Sequence, residues 1–194
     1  MKKQTIIPIL FIFLTTLVFL NNKQPFNIDL IINAFQFPIS VLPFLQFISD
    51  LTETIPIAII TLFLLYIFRK NKKKMKAILL IPLAVVIKTI IKLIVSRARP
   101  NGIDLKSFPS GHTTAITVVS IMIYLTIIKD LKNKTTKTIS TILIILLPIL
   151  VGISRLALNH HWLTDVIAGL LLGISVSLIG YSDIVKNKGF LKQT

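Results

Sequence analysis

Apolar residues in this chain fall into long, nearly unbroken runs rather than into stripes or alternations. The runs cover 4–21, 54–69, 77–95, 113–128, 138–153 and 162–182, separated by short polar stretches. Runs approaching ~20 residues are long enough to cross a bilayer. A lone span can satisfy its backbone hydrogen bonds only as a helix, so each run predicts a transmembrane helix. The expected fold is all-α: one polytopic membrane domain over 1–194, a bundle of six transmembrane helices. Pro8, Pro56, Pro82 and Pro148 fall in or near these runs, a placement that membrane helices tolerate. The first run resembles a signal peptide, but no small-residue cleavage site follows it, and it reads as an uncleaved span. Residues 22–53 break the pattern. Pro25, Pro38 and Pro43 divide them into pieces too short to span, rich in Phe, which predicts an interfacial or re-entrant segment whose simplest role is a connector.

Composition sharpens this picture. Of 194 residues, 54% are hydrophobic, far above the balance of a soluble domain. Cysteine is absent, which excludes disulfides, thiolate catalysis and cysteine-ligated metal. The net charge of +15 would suit a nucleic-acid partner, but the lysines sit in short loops between spans, so no nucleic-acid partner is expected. Two lysines at 2–3, six basic residues over 69–76, four over 129–137 and three over 186–192 make fifteen of the 22. All of them occupy alternate loops, which predicts that both termini and those loops are cytoplasmic. The other seven are Lys23, Lys88, Lys92, Arg97, Arg99, Lys106 and Arg155. Three of them, Lys92, Arg99 and Arg155, belong to polar clusters on the opposite, extracytoplasmic side, against the orientation rule, and so point to a functional role.

Three clusters carry the candidate chemistry. The first is Lys92 with Arg99-Pro100, the second Pro109-Ser110-Gly111-His112, the third Ser154-Arg155 followed by His161 and Asp165. His161 and Asp165 are four apart at the expected start of the last helix and so share a face, whereas His160 does not. A carboxylate there can hold one imidazole nitrogen and leave the other as nucleophile or base. On spacing alone the pair is equally a surface histidine beside a helix-start aspartate. Ser110 is placed to cap the fourth helix, and Gly111 permits close approach to unpaired backbone N–H groups that attract anions. His112 is placed to protonate a leaving oxygen. An ordinary capping turn has the same appearance. Lys92, Arg99 and Arg155 are cations suited to phosphate. Lys88, one turn deeper than Lys92, has no assigned role.

In this order the three clusters resemble the signature of the type 2 phosphatidic acid phosphatase superfamily of integral-membrane lipid phosphatases: K-x6-R-P, then P-S-G-H, then S-R-x5-H-x3-D. Every signature position is matched, and the resemblance covers most of the chain. It implies a metal- and cofactor-independent phosphatase. His161, oriented by Asp165, would form a phosphohistidine. Lys92, Arg99, Arg155, Ser110 and the Gly111 backbone would bind the phosphate, and His112 would protonate the departing group and then activate water. The expected substrate is a membrane lipid phosphate or diphosphate at the outer face of the cytoplasmic membrane, with undecaprenyl diphosphate preferred on resemblance to small bacterial members. Phosphatidic acid, phosphatidylglycerol phosphate and transfer to a lipid or sugar acceptor are the alternatives. No protein partner is implied.

Overall fold

The computed structural model describes residues 5–185, all of their regular structure helical. The order is α1 (Ile6–Leu20), α2 (Asn27–Asn33), α3 (Leu42–Asp50), α4 (Thr54–Ile67), α5 (Lys72–Ile78), α6 (Leu80–Val95), α7 (Gly111–Thr126), α8 (Lys134–Ala157) and α9 (Leu163–Val185), with single 3₁₀ turns before α3 and after α7. The lysines at 2–3 and over 186–192 lie outside the described residues.

Local chemistry explains several of the boundaries. Asn71 and Asn133 cap α5 and α8, their side chains accepting from the N–H groups of Lys74 and Thr136, as short polar residues do at helix starts. Pro43 lies in the first turn of α3, where the missing N–H costs nothing. The end of α8 is a Schellman turn. Asn159 takes a left-handed conformation (φ 54°), and the N–H groups of His160 and Asn159 return to the carbonyls of Arg155 and Leu156, closing the helix as this motif does.

The packing is inside-out relative to a water-soluble protein. Asp29, Arg97, Ser107, Ser110, Thr113, Arg155, His161 and Asp165 are buried, while Leu62, Phe63, Leu143 and Ile145 are exposed. That arrangement suits hydrocarbon solvent. At the centre, α7 packs against α9 through small residues. A Cβ at Gly169 would lie 2.8 Å from the Ser110 carbonyl, and one at Gly173 would lie 2.6 Å from the Thr117 Cβ. Such a small-xxx-small pair brings two helix backbones together, and here it draws the start of α7 onto α9.

Among the described residues, four helical segments are individually long and apolar enough to cross a membrane: Lys72–Val95, Gly111–Asp130, Lys134–Ala157 and Leu163–Tyr181. A fifth is gained if Ile39–Asp50 and Thr54–Ile67, bent by 46°, count as one span. The expected six are therefore shown only as four or five. Helix α1, with 15 residues, extends about 22 Å, short of a hydrocarbon core of about 30 Å. The expected second span likewise does not stand alone: it is one arm of the bent pair, hinged between Asp50 and Thr54, where Thr52 and Glu53 separate the two apolar helices.

Candidate active site

The three clusters converge at one end of the bundle. The loop from Ser96 to Ser110 joins α6 to α7 and is fastened at both ends. The Ser107 N–H donates to the Arg97 carbonyl, and Trp162 Nε1 donates to the Ala98 carbonyl at 2.8 Å. Lys92 reaches the loop from α6, its Nζ donating to the carbonyl of Lys106 at 2.5 Å and lying 3.5 Å from that of Ser107. The Ser110 N–H donates to the Asp165 carbonyl at 2.9 Å, tying the second cluster to the third.

Ser110 is the N-cap residue of α7, as expected, but its hydroxyl pairs with the Thr113 hydroxyl at 2.9 Å rather than with a backbone N–H. Gly111 opens the helix, and a Cβ there would sit 2.7 Å from Lys88 Nζ. His112 Nε2 lies 3.0 Å from Glu53 Oε1. Arg99 Nε donates to Asp104 Oδ1 at 2.7 Å within its own loop. Arg155 donates to the Ser49 hydroxyl, and its buried Nε has no partner.

His161 differs from expectation in one respect. Helix α9 begins at Leu163, so His161 precedes it, and the shared-face argument does not place it. The Schellman turn does, because the His161 N–H falls 3.3 Å from the Arg155 carbonyl, setting the imidazole directly after the arginine. The Asp165 side chain folds back over the helix start to accept from the Trp162 N–H at 2.9 Å. His161 Nδ1 and Asp165 Oδ2 are then 3.6 Å apart, in ion-pair range but too long for a hydrogen bond, and Nδ1 has no hydrogen-bond partner. The ring is 2% exposed. Burial pushes the His161 pKa down to about 3; Asp165 opposes the shift, while the charges of Lys92 and Arg155 add to it. The imidazole is therefore neutral at pH 7, the form a nucleophile requires. His160 is also lowered, first by burial and then by Arg155 and Arg99. Cations from the first and third clusters thus act on this histidine pair.

Asp165 is held by a network absent from the sequence-based site. Arg97 is fully buried and makes five hydrogen bonds: to the carbonyls of Lys23 and Gln24, to Thr164 Oγ1, to Asp165 Oδ1 at 2.7 Å and to Asp29 Oδ2 at 2.8 Å. Ser107 adds a hydroxyl donor to Asp165 Oδ2. Asp29 also accepts from the N–H groups of Phe26 and Thr164 and from the Thr164 hydroxyl. One arginine thus balances two buried carboxylates, as burial of charge requires. Segment 22–53 is correspondingly more than a connector, because it supplies Asp29, Ser49 and Glu53 to the site. Arg97 is one of the seven basic residues set against the orientation rule, and Asp29 is an isolated acid among apolar neighbours. Those were the available signals.

A cavity of about 460 Å³ runs from this end of the bundle down between α4 and α6. Its head carries Lys88, His112 and Glu53, and its walls include Ile57, Leu62, Leu65, Val85 and Val86, with Thr61 among them donating its hydroxyl to the Ile57 carbonyl.

The sequence profile of the PAP2 superfamily matches residues 73–188, more than half of the chain. The chain belongs to the PAP2 superfamily. It is 31% identical over 91 residues to a lipid A 1-phosphatase of Porphyromonas gingivalis, an alignment covering 46% of this chain and 19% of that protein. The chain thus spans about a fifth of the length of that curated relative. Two crystal structures share the fold. A transmembrane PAP2-type phosphatidylglycerolphosphate phosphatase from Bacillus subtilis superposes with a TM-score of 0.75 at 25% identity, over 100% of this chain and 98% of the other. LpxE of Aquifex aeolicus superposes with a TM-score of 0.61 at 25% identity, over 79% and 92%. The PAP2 bundle described here is therefore shared along its whole length with a transmembrane phosphatidylglycerolphosphate phosphatase.

Proposed function

We propose that this PAP2 protein is a metal-independent lipid phosphatase working through a phosphohistidine, with an isoprenoid carrier diphosphate such as undecaprenyl diphosphate as preferred substrate. The observation carrying this reading is the neutral, buried His161, backed by the anchored Asp165 and flanked by Lys92 and Arg155. An apolar cavity opening at His112 accounts for the lipid. The relatives' names, lipid A 1-phosphatase and phosphatidylglycerolphosphate phosphatase, support the reaction class.

In the proposed reaction His161 Nε2 attacks the terminal phosphorus, and the bond from phosphorus to the leaving oxygen breaks. His112 supplies that oxygen's proton. Arg99, Arg155, Lys92, Ser110 and the Gly111 N–H hold the remaining phosphate oxygens, and such positioned donors are the main source of catalysis in phosphoryl transfer. Water then attacks the phosphohistidine and gives its proton to His112. The P–N bond breaks, and inorganic phosphate leaves. Among the described residues no three His, Asp or Glu side chains converge as a metal site, and Arg97 already balances the two carboxylates that lie together.

The lysine-rich loops support cytoplasmic termini and an active site on the extracytoplasmic face. Membrane-impermeant labelling of a cysteine placed in the 100–106 loop of intact cells reports the side directly. The function is tested by phosphate release from a lipid panel by purified protein, with chelator present and His161→Ala as control. Release that survives the chelator and is lost in the variant is expected. A requirement for divalent metal, or full activity in the variant, contradicts the reading.

A further inference from the structure

We propose that Asp104 is a positioning residue for the phosphate cation Arg99: it holds the guanidinium by its Nε edge and leaves both Nη groups for the substrate. This rests on the phosphatase reading, in which Arg99 binds phosphate, and names a residue outside the three clusters. Three observations meet at this carboxylate.

The first is the contact. Arg99 Nε donates to Asp104 Oδ1 at 2.7 Å, and neither Nη group donates to any described residue. A guanidinium carries its N–H donors in one fixed plane. With the Nε edge spent on the aspartate, the two Nη groups remain as a fork matched to two phosphate oxygens. The Arg99 charge is felt at His160, next to the proposed nucleophile, which places the guanidinium near the histidine pair.

The second is how Asp104 is itself held. Residues 99–106 fold back on themselves. The Arg99 N–H donates to the Asp104 carbonyl at 3.1 Å, and the Gly102 N–H donates to the Arg99 carbonyl at 3.1 Å. Gly102 sits at φ 71°, a left-handed conformation that glycine takes without strain. Asp104 Oδ1 also accepts from the Lys106 N–H at 2.8 Å, so the carboxylate cannot swing away from Arg99 without breaking a second bond. The Lys106 carbonyl in turn accepts from Lys92 Nζ. Asp104 therefore links the two cations of the first cluster, Arg99 through its side chain and Lys92 through the Lys106 residue. Burial works against the Asp104 charge, but the Lys106 N–H and the neighbouring Arg99 and Lys92 outweigh it and hold the carboxyl below the usual carboxylate range. It is ionised at neutral pH.

The third is the other oxygen. Asp104 Oδ2 accepts from no described residue, and the side chain is partly exposed. Asparagine can thus keep Oδ1 in place and turn its amide N–H groups to water. It removes the charge and retains the acceptor, whereas alanine removes both. The pair of variants separates positioning from charge, because losing a negative charge beside the site by itself favours an anion. An aspartate that merely occupied the place of the phosphate would give tighter phosphate binding in both variants.

The test measures kcat/KM on a prenyl diphosphate, and Ki for inorganic phosphate, with full-length wild type, Asp104→Asn, Asp104→Ala and Asn101→Ala. Asn101 accepts from the Ile103 N–H in the same loop and holds neither cation, so its variant controls for general loosening and should match wild type. Asp104→Ala is expected to lower kcat/KM and to raise the phosphate Ki, each about 3–10-fold, the worth of roughly one hydrogen bond. Asp104→Asn should stay within about twofold of wild type on both measures. Unchanged values or tighter phosphate binding in Asp104→Ala, equal losses in the two Asp104 variants, or an equal loss in Asn101→Ala overturn the positioning role. Wild type inert on the prenyl diphosphate and on the lipid panel overturns the phosphatase reading and this inference with it; active wild type with an unaffected Asp104→Ala overturns this inference alone.

Discussion

Asp29→Asn is the sharpest probe of how the site is held. The change keeps the shape of the side chain and removes one of the two carboxylates that balance Arg97. Asp165 still balances the Arg97 charge, but both Asp29 oxygens accept from donors of Phe26, Arg97 and Thr164, and at 0% exposure no water replaces the acceptor oxygen that the amide lacks. Each buried donor left without an acceptor costs about 1–3 kcal/mol, or about 2–12 °C in thermal midpoint for a chain of this size. An exposed ion pair is worth at most about 1 kcal/mol. Asp130→Asn, at the partly exposed Lys74–Asp130 pair, is therefore the matched control and should move the midpoint only slightly. The assay is thermal unfolding of the purified protein in one detergent, with Arg97→Met and the double variant completing a cycle. Arg97→Met leaves two uncompensated carboxylates and should be the worst of the three. The double variant should lose less than the sum, because the two positions share one interaction. A midpoint for Asp29→Asn within about 1 °C of wild type would refute the claim that this network anchors Asp165.

Other expectations follow from single observations. His161, held to a pKa of about 3 chiefly by burial, stays neutral when folded and protonates near pH 6.5 when unfolded. Stability from this group is thus complete above pH 6.5 and falls with pH from there toward 3, by about 2 kcal/mol at pH 5. With three histidines in the chain, labelled-imidazole NMR should show the His161 resonance fixed between pH 5 and 8, and a midpoint near 6.5 would contradict its burial. Gly173→Ala forces a Cβ to 2.6 Å from that of Thr117 and should cost about 1–3 kcal/mol in thermal or denaturant unfolding. Asn159→Gly should be close to neutral because φ is 54°, whereas Asn159→Val should cost about 1–3 kcal/mol and lower kcat by shifting His161.

The three clusters were legible because each is a local pattern whose spacing survives folding. Lys92 to Arg99, Pro109 to His112 and Arg155 to His161 each lie within one helix end and its adjoining loop. What tied them together was not legible. Arg97 meets Asp29 across 68 positions and Asp165 across another 68, and no periodicity encodes a pairing of that range. The i, i+4 argument chose His161 over His160 from a helix that starts two residues later, and the placement is owed to Asn159 and the turn it permits. Hydropathy located the run at 54–69 but not the bend at 51–53, since a polar break such as Asp50, Thr52 and Glu53 reads alike whether the chain ends a span there or hinges. Segment 22–53, broken by prolines and lacking a helical stripe, gave no sign that it delivers Asp29, Ser49 and Glu53.

The central claim is that His161 takes the phosphoryl group. Its most direct test is rapid acid-free quenching of the purified protein with a lipid substrate radiolabelled in the terminal phosphate, followed by mapping of the labelled residue. The account predicts a phosphoprotein that is stable to base and labile to acid, located at His161 and absent from His161→Ala. Phosphate release by the wild type with no label on the protein at any time point, or label on another residue, would contradict it.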